Sequence, residues 1–254
     1  MISLRHLIDT HAHLSDLLDR DEVITRAKKA GVISIIAVGS NLETSKKTLS
    51  LANEFPNYVY PGVGIHPTEF TKDNIEESLL FIEKNLHKCF VLGEIGLDYW
   101  REAKDDETLR KQQQNIYTEQ LKMASDHGLP VSVHGRGAWE DSLDIAQIHG
   151  PESIVFHWYS GPVNIMKKIL DHGYYVSATP AVEYSRDHKA ALKEAPIDRI
   201  MLETDCPVYM RNRRKTTEPA DVTITLEALA KLKDMDIDEI AKVTTRNAKK
   251  FFKI

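Results

Sequence analysis

Two histidines near the start of the chain, His11 and His13, are spaced so that both could bind one metal ion. Side chains of an extended segment alternate between its two faces, so residues two apart point to the same side. Taken alone, the pair is equally consistent with two incidental surface imidazoles. Further residues of metal-binding type follow later in the chain, each at the end of its own apolar run. These are Glu94, His134, His157 and Asp205.

The chemistry open to this set of residues is hydrolysis assisted by divalent metal ions. Imidazole and carboxylate groups are suitable ligands for Zn²⁺, Mn²⁺ or Mg²⁺. The carboxylate of Glu94 could bridge two ions, because it has two oxygen atoms. Two ions about 3.5–4 Å apart can activate water and stabilise the attacking and leaving oxygens of a displacement. Divalent metal ions are therefore the expected cofactors, and a bridging carboxylate would allow two of them.

The elements that must position these residues alternate regularly between strands and helices. Residues 32–38 form a near-continuous β-branched run, which is typical of a strand buried on both faces of a parallel sheet. Eight predicted strands, each followed by a segment of helical spacing, indicate a single-domain (β/α)8 TIM barrel of the α/β class. Ile237–Phe252 is predicted as an extra C-terminal helix. The predicted strands are Ile8–Ala12, Val32–Val38, Tyr58–Ile65, Cys89–Glu94, Leu129–His134, Ser153–His157, Tyr174–Ala178 and Arg199–Glu203.

The composition favours one domain, residues 1–254, over several. The chain has 254 residues, of which 42% are hydrophobic, and it contains no linker rich in glycine, proline or serine. A net charge of −5 argues against a general nucleic-acid coat or a membrane-surface protein. A nuclease is still compatible with this charge, because it needs positive charge only near the scissile phosphate.

Cysteine usage and hydropathy predict a cytoplasmic protein. Cys89 and Cys206 lie far apart and form no metal-type pair, so a reducing compartment is expected. No run reaches the roughly 18 apolar residues of a membrane span, and the N-terminus lacks the pattern of a signal peptide. We therefore expect no membrane association, and no obligate protein partner is evident.

The candidate residues should meet at one end of the predicted barrel. Active sites of TIM barrels lie where the strands end and the βα loops begin, and His66 and Glu203 also fall at strand ends. Glu203 lies two residues before Asp205, so we expect it to support a metal ligand or to contact a metal weakly. His66 precedes Pro67 and could contact substrate, bind metal or cap a turn. We favour the substrate contact.

An ordered series of motifs resembles the TatD-type metal-dependent deoxyribonucleases, a branch of the amidohydrolase superfamily of barrel hydrolases. The series runs through nearly the whole chain, so it is more specific than a single short motif. It consists of His11–His13, Gly62–Pro67, Gly93–Tyr99, His134, His157 with Ser160–Gly161, Glu203–Asp205 and Thr244–Ala248.

This resemblance implies a role for each candidate ligand. The two histidines of the first strand would bind one ion, and Glu94 would bridge it to a second ion held by His134 and His157. Asp205 would complete the first site and orient or deprotonate the attacking water. The family's activity implies a hydrolase that cleaves phosphodiester bonds of DNA, as a 3′–5′ exonuclease on single strands.

The chain departs from the family's usual motifs mainly at positions that are expected to determine substrate specificity. Gly135–Ala138 stands where Ser-Arg-Asp-Ala is usual, and Trp158–Gly161 stands where Cys-Phe-Ser-Gly is usual. Cys206 replaces an alanine, and Tyr209–Lys215 replaces a Pro-His-Arg-Gly loop. An amidohydrolase or esterase-type reaction, such as deacylation of aminoacyl-tRNA, therefore stays open, as does a non-enzymatic metal-binding scaffold. The retained Asp205 argues against the scaffold, since a structural zinc needs no such base.

Basic and aromatic residues near strand ends are candidates for contacts to a DNA substrate. Arg136 follows the fifth strand and could hold a phosphate through its bidentate fork. Arg213 and Arg214 follow the eighth strand and could overhang the site, although a solvated loop is the alternative. Aromatic rings could stack on bases or pack in the core. The aromatic candidates are Trp100, Trp158 and Tyr159.

Several other polar residues are interpreted as structural. Asp98 is expected to hold a loop through backbone N–H groups, and Cys206 is expected to be a buried thiol rather than a nucleophile. The remaining histidines fall away from strand ends and are expected at the surface or at helix ends. They are His6, His87, His127, His149, His172 and His188.

Overall fold

The computed structural model describes residues 5–71, 74–100 and 102–254. Within these residues the main sheet contains eight parallel strands, which pair in the order of the chain. The segment after the last strand bonds to the end of the first strand: Asp205 donates its backbone N–H to His11 O at 2.9 Å, and His13 donates to Cys206 O at 2.8 Å. These bonds draw the sheet into a nearly closed barrel, which confirms the predicted architecture. The strands are β1 (Leu7–Ala12), β2 (Val32–Val38), β3 (Val59–Val63), β4 (Val91–Gly96), β5 (Val131–His134), β6 (Ile154–Phe156), β7 (Tyr175–Ala178) and β8 (Ile200–Leu202).

Helices follow the strands and cover the outside of the barrel. Side-chain caps begin several of them: Asp236 Oδ1, for example, accepts the N–H groups of Asp238 and Glu239 at 2.9 and 3.1 Å. Such a cap stabilises a helix by about 1 kcal/mol. No helix among the described residues combines the length and the apolar character that a membrane crossing requires. The α-helices are α1 (Arg20–Lys29), α2 (Leu42–Glu54), α3 (Ile75–Asn85), α4 (Glu107–His127), α5 (Trp139–His149), α6 (Val163–Asp171), α7 (Arg186–Glu194), α8 (Val222–Lys233) and α9 (Ile237–Phe252).

The predicted extra C-terminal helix, α9, packs against apolar residues of the strands. Its Phe251 and Phe252 are buried in a cluster with Ile8, Ile36 and Tyr175. Among the described residues, the buried strand members of this cluster come from six different strands, and α9 is the one helix that contributes to it. We infer that the cluster fills the barrel interior behind the polar strand ends. Burying each phenylalanine contributes about 1.5–3 kcal/mol, so α9 stabilises the barrel substantially.

A short hairpin follows β8, in the stretch that is predicted from the sequence as a loop. Its strands β9 (Tyr209–Met210) and β10 (Lys215–Thr216) pair antiparallel. The strands are only two residues long, so they carry too little periodicity to be recognised in the sequence.

His188 lies in the first turn of α7, as expected for a histidine at a helix end, but its ring is not exposed at the surface. The ring is fully buried on α7, where Nδ1 lies 2.6 Å from Tyr159 O and Nε2 accepts the Thr179 N–H at 3.2 Å. A neutral imidazole satisfies both contacts, since one nitrogen donates and the other accepts. Because burial disfavours the charged ring, the pKa of His188 is lowered to about 4.

Acidification should therefore destabilise the fold through His188. The folded pKa lies below the value of about 6.5 for an unfolded chain, so the stabilisation is complete above pH 6.5 and is lost as the pH falls towards 4. The full shift corresponds to about 3 kcal/mol. NMR titration of the ring should give a midpoint near 4. In urea unfolding, His188→Gln should flatten the pH dependence, while the exposed His172→Gln should not. A His188 midpoint near 6.5 would contradict this prediction.

Candidate metal centre

The six predicted metal ligands meet at one end of the barrel, around the carboxylate of Glu94. His11 lies in β1, Glu94 lies in β4, and His134 ends β5. The other three ligands follow the ends of β1, β6 and β8, at the mouth where those strands finish. They are His13, His157 and Asp205.

A first group of ligand atoms faces Glu94 Oε2. His13 Nε2 lies 3.2 Å from this oxygen and 3.4 Å from Asp205 Oδ1. His11 Nε2 lies 3.5 Å from Glu94 Oε2 and 3.6 Å from Asp205 Oδ1. Four tetrahedral ligands about 2.0–2.1 Å from a zinc ion are about 3.4 Å from one another. The four atoms therefore have the spacing of a single coordination sphere.

A second group faces the other oxygen of Glu94. Glu94 Oε1 lies 2.8 Å from His134 Nδ1 and 2.8 Å from His157 Nε2, and these nitrogens are 3.4 Å apart. His66 Nε2 lies 3.3 Å from the same oxygen. His66, predicted as a substrate contact, is thus also within reach of an ion in this group. One carboxylate oxygen directed to each group is the arrangement that a bridging ligand requires.

A buried ring nitrogen tests whether a metal ion fits the first group. His11 Nε2 is buried and has no hydrogen-bond partner within the part of the chain that the structure describes. Leaving such an atom unpaired costs about 1–3 kcal/mol. A cation between Glu94 and Asp205 would satisfy His11 Nε2, which faces both carboxylates. Imidazole and carboxylate donors suit divalent cations, so the residues fit the predicted ions.

The buried ionisable groups of the site shift one another's pKa values. Burial would raise the pKa of Glu94, but the surrounding histidines keep it well below its usual value. Burial would lower the pKa of His13, but hydrogen bonds to Asp205 and Glu94 raise it to about 10. Burial and the charge of His157 lower the pKa of His11. Glu94 is thus ionised and His11 neutral, and a cation would have to displace the proton of His13.

A cavity of about 690 Å³ opens over both groups. Its lining includes ligands from each group, such as His13 and His134, together with Arg136. The aromatic side chains of Trp158 and Tyr184 form another part of the wall. Sites for small molecules and cofactors typically have volumes of about 300–1,000 Å³. The candidate metal centre is therefore accessible to a molecule of nucleotide size.

Comparison with known proteins identifies the family. A family model described as TatD related DNase matches residues 8–253. The chain belongs to the TatD-related DNase family. The Bacillus subtilis protein named uncharacterized metal-dependent hydrolase YabD is 34% identical over 98% of this chain and 99% of its own length. The 3′-5′ ssDNA/RNA exonuclease TatD of Erwinia tasmaniensis is 29% identical over 93% of this chain and 94% of its own.

A solved TatD structure shares the whole fold. The crystal structure of the TatD homologue YJJV from Escherichia coli superposes with a TM-score of 0.89 at 27% identity, and the match covers 99% of both chains. The predicted membership of the TatD-type metal-dependent hydrolases and the TIM-barrel fold are confirmed at the level of the family.

Hydroxyl groups hold the second ring nitrogen of several histidines in this TatD site. A partner on one imidazole nitrogen fixes the orientation of the ring and leaves the other nitrogen directed at the metal position. These partners were missed in the sequence, because nothing in their spacing relates them to the histidines. The pairs are Ser132 with His11 (3.0 Å), Ser40 with His13 (3.3 Å) and Thr68 with His66 (2.8 Å).

Removing the Ser132 hydroxyl should weaken metal binding. Ser132 is buried on β5, so no water can readily replace its contact with His11 Nδ1. We expect Ser132→Ala to lower metal affinity by about 10–100-fold, as is typical when the partner of a ligating histidine is lost. Isothermal titration calorimetry would measure the change. Ser142→Ala is the matched control, because that hydroxyl is also buried but has no hydrogen-bond partner among the described residues. Equal affinities of the two variants would contradict the prediction.

Glu203 lies beside His157, as expected for a supporting residue. Its Oε1 atom is 3.4 Å from His157 Nδ1 and accepts the backbone N–H of Trp158 at 2.8 Å. Trp158 has a φ of 40°, in the left-handed region that non-glycine residues rarely adopt. The hydrogen bond from its N–H therefore helps to hold an unfavourable backbone conformation next to the ligand.

Asp9 is a buried support of the site that the sequence analysis missed. Its carboxylate accepts the backbone N–H of Thr204 at 2.9 Å and the Thr204 hydroxyl at 2.6 Å. These bonds tie β1 to the residue before Asp205, which itself has a φ of 52°. Strand alternation could have drawn attention to Asp9, since it shares a face of β1 with His11.

Besides its predicted role in holding a loop, Asp98 contacts His134 and Arg136. Its Oδ1 accepts the N–H of Trp100 at 2.8 Å, as expected, but its Oδ2 lies 3.0 Å from His134 Nε2 and accepts from Arg136 Nη2 at 2.7 Å. Burial would raise the pKa of Asp98, but the contact with His134 and the bonds from Trp100 and Arg136 lower it. The ionised carboxylate fixes Arg136 at the cavity wall, where 45% of its side chain is exposed.

The other two predicted phosphate contacts lie outside the cavity. Arg213 donates from Nε to Glu183 Oε2 at 2.9 Å, and Arg214 is exposed between β9 and β10. Neither is among the described residues that line the cavity. The hairpin that carries them is thus held to the neighbouring segment by an ion pair.

The candidate aromatic residues and Cys206 have different surroundings. Trp158 lines the cavity, whereas Trp100 is 62% exposed and lies outside its described lining. Tyr159 is fully buried and donates its hydroxyl to Pro162 O at 2.7 Å, so core packing is its role and base stacking is excluded. Cys206 is buried as predicted, and burial raises the pKa of its thiol well above the usual value.

Proposed function

We propose that this TatD-family chain is a two-metal phosphodiesterase that removes nucleotides from the 3′ end of single-stranded DNA. The observation that carries the proposal is the orientation of the Glu94 carboxylate, which directs one oxygen to each group of candidate ligands. The name of the Erwinia tasmaniensis relative supports the substrate and the polarity. In this proposal residues 1–254 act as one domain in the cytoplasm, where the free Cys89 and Cys206 stay reduced.

In this proposal two divalent ions, Zn²⁺, Mn²⁺ or Mg²⁺, share Glu94. The two histidines of β1 and Asp205 would hold one ion, and His134 and His157 would hold the other. When bound, such a pair of ions polarises the phosphoryl group and lowers the pKa of water. The chain supplies ligands already collected at one barrel mouth, so little reorganisation would be needed on binding.

Asp205 is the residue that we propose to accept the proton of the attacking water. It lines the cavity, and 14% of its side chain is exposed. Burial would raise the pKa of Asp205, but contacts with His13 and the charge of His157 lower it. The carboxylate is therefore ionised at neutral pH and can take a proton.

The cavity walls would hold the scissile phosphate and the terminal nucleotide. Arg136, fixed by Asp98, presents its guanidinium to the cavity and suits bidentate contact with a phosphate. His66 would contribute either to the second ion or to the same phosphate. Arg213 and Arg214 would contact phosphates further along the strand. Arg136 also favours a substrate that carries phosphate over the uncharged amide of a small-molecule amidohydrolase.

A nuclease assay tests the proposal. Metal-loaded protein should shorten a single-stranded oligonucleotide labelled at its 5′ end one nucleotide at a time, and a chelator should stop the reaction. A label at the 3′ end should be released at once, which reports the polarity. If neither oligonucleotide loses nucleotides while a control nuclease is active, the proposal is refuted. Hydrolysis of aminoacyl-tRNA in place of DNA would establish the alternative.

A further inference from the structure

A groove lined by lysines runs along the outside of the barrel between α7 and α8. Lys189 and Lys193 are one turn apart on α7, and Lys231 and Leu232 of α8 lie on the opposite side. Asn212, from the β9–β10 hairpin, also lines it. The groove has a volume of about 550 Å³. It is separate from the cavity over the metal centre.

The groove begins where the cavity over the metal centre ends. Ala181 and Tyr184 line the cavity, while Val182 and Glu183 line the groove. These four residues are consecutive in the chain, so one short segment forms the ridge between the two depressions. A polymer whose end lies in the cavity would pass over this ridge and enter the groove.

The charge of the groove suits a polyanion. Glu183 is the acidic residue of its described lining, and its carboxylate is already paired with Arg213. Lys189 donates to the uncharged backbone carbonyl of Glu183 at 3.0 Å. Lys193 and Lys231 are exposed. The groove therefore has an excess of positive charge in a chain whose net charge is −5.

We propose that this groove binds the phosphodiester backbone of single-stranded DNA on the 5′ side of the scissile bond. This inference rests on the proposed function, which places the 3′ nucleotide in the cavity. Lysine ammonium groups contact phosphates without reading sequence, and Leu232 gives the sugars an apolar surface. The groove would thus hold substrates of any sequence and would favour strands long enough to reach it.

Direct binding measurements test the groove without requiring cleavage. The probe is a fluorescent phosphorothioate oligonucleotide of about 20 thymidines, which resists hydrolysis and is long enough for a single-strand site. The variant Lys193→Gln/Lys231→Gln is compared with Lys111→Gln/Lys122→Gln. The control lysines are exposed on α4, which follows the strand opposite β8 in the barrel. Both variants change the net charge equally.

We expect the groove variant to bind the oligonucleotide about tenfold more weakly than the control variant. The slope of log affinity against log salt should fall by about 1.4, because single strands release about 0.7 counterion for each phosphate that a lysine neutralises. Equal affinities and equal slopes for the two variants would overturn the proposal.

Catalysis provides a second test through the length of the substrate. The loss of kcat/KM in the groove variant should be less than about twofold on a dinucleotide and about tenfold on the long strand. An equal loss of kcat/KM on the dinucleotide and on the long strand would overturn the proposal that the groove binds DNA. If the unmodified protein cleaves neither substrate, the proposed function fails, and the binding comparison still decides whether the groove holds DNA.

Discussion

Replacing Glu94 by glutamine is expected to abolish both metal binding and hydrolysis. The glutamine amide has one oxygen, so it cannot serve the two groups of ligands that the carboxylate oxygens face. Activity should fall by more than about 10⁴-fold, because metal ions would no longer lower the pKa of water or stabilise the charge that develops in the transition state. Metal content should fall from about two ions per chain to less than one.

Metal analysis and the nuclease assay on the same preparation would check this result. Glu140→Gln makes the same chemical change at an exposed residue of α5, where the carboxylate pairs with Lys168 at 2.9 Å. This control should keep the metal content and activity of the unmodified protein. A Glu94→Gln protein that retains two ions and full activity would show that the carboxylate does not bridge.

Replacing Asp205 by asparagine should stop turnover while leaving part of the metal centre. General base catalysis contributes about 10²–10⁴-fold, so we expect kcat to fall by at least about 10³-fold. The carboxylate of Asp205 lies close to His11 and His13, the histidines of the group around Glu94 Oε2. The ion proposed between His134 and His157 should therefore stay bound, which distinguishes this variant from the change at Glu94.

The matched control for this second change is Asp144→Asn, at an exposed position of α5. Steady-state kinetics and metal content should both equal those of the unmodified protein in the control. If Asp205→Asn kept normal kcat, another group would have to accept the proton. If it lost both ions, the division into two groups would be wrong.

The barrel and the place of its ligands could be predicted because their physical signals are local. A run such as residues 32–38 is β-branched along its whole length, which marks a strand covered on both faces. His11 and His13 share a face through strand alternation. His134 ends its own strand. Because active sites of TIM barrels lie at the C-terminal ends of the strands, this position was enough to place it near the other candidate ligands.

The remaining features depend on contacts between segments that are distant in the chain. His188 lies on a polar helix, and only the packing of α7 against Tyr159 and Thr179 shows that its ring is buried. The pairing of Ser132 with His11 spans 121 positions. Arg213 has the sequence context of a phosphate contact, but the hairpin places it beside Glu183. The short strands of that hairpin have no recognisable period in the sequence.

Anomalous diffraction from crystals of the zinc- or manganese-loaded protein would test the metal centre most directly. We expect two anomalous peaks about 3.5–4 Å apart, one on each side of the Glu94 carboxylate, with His11, His13 and Asp205 around the first and His134 and His157 around the second. A single peak, or ions bound away from Glu94, would contradict the two-metal account.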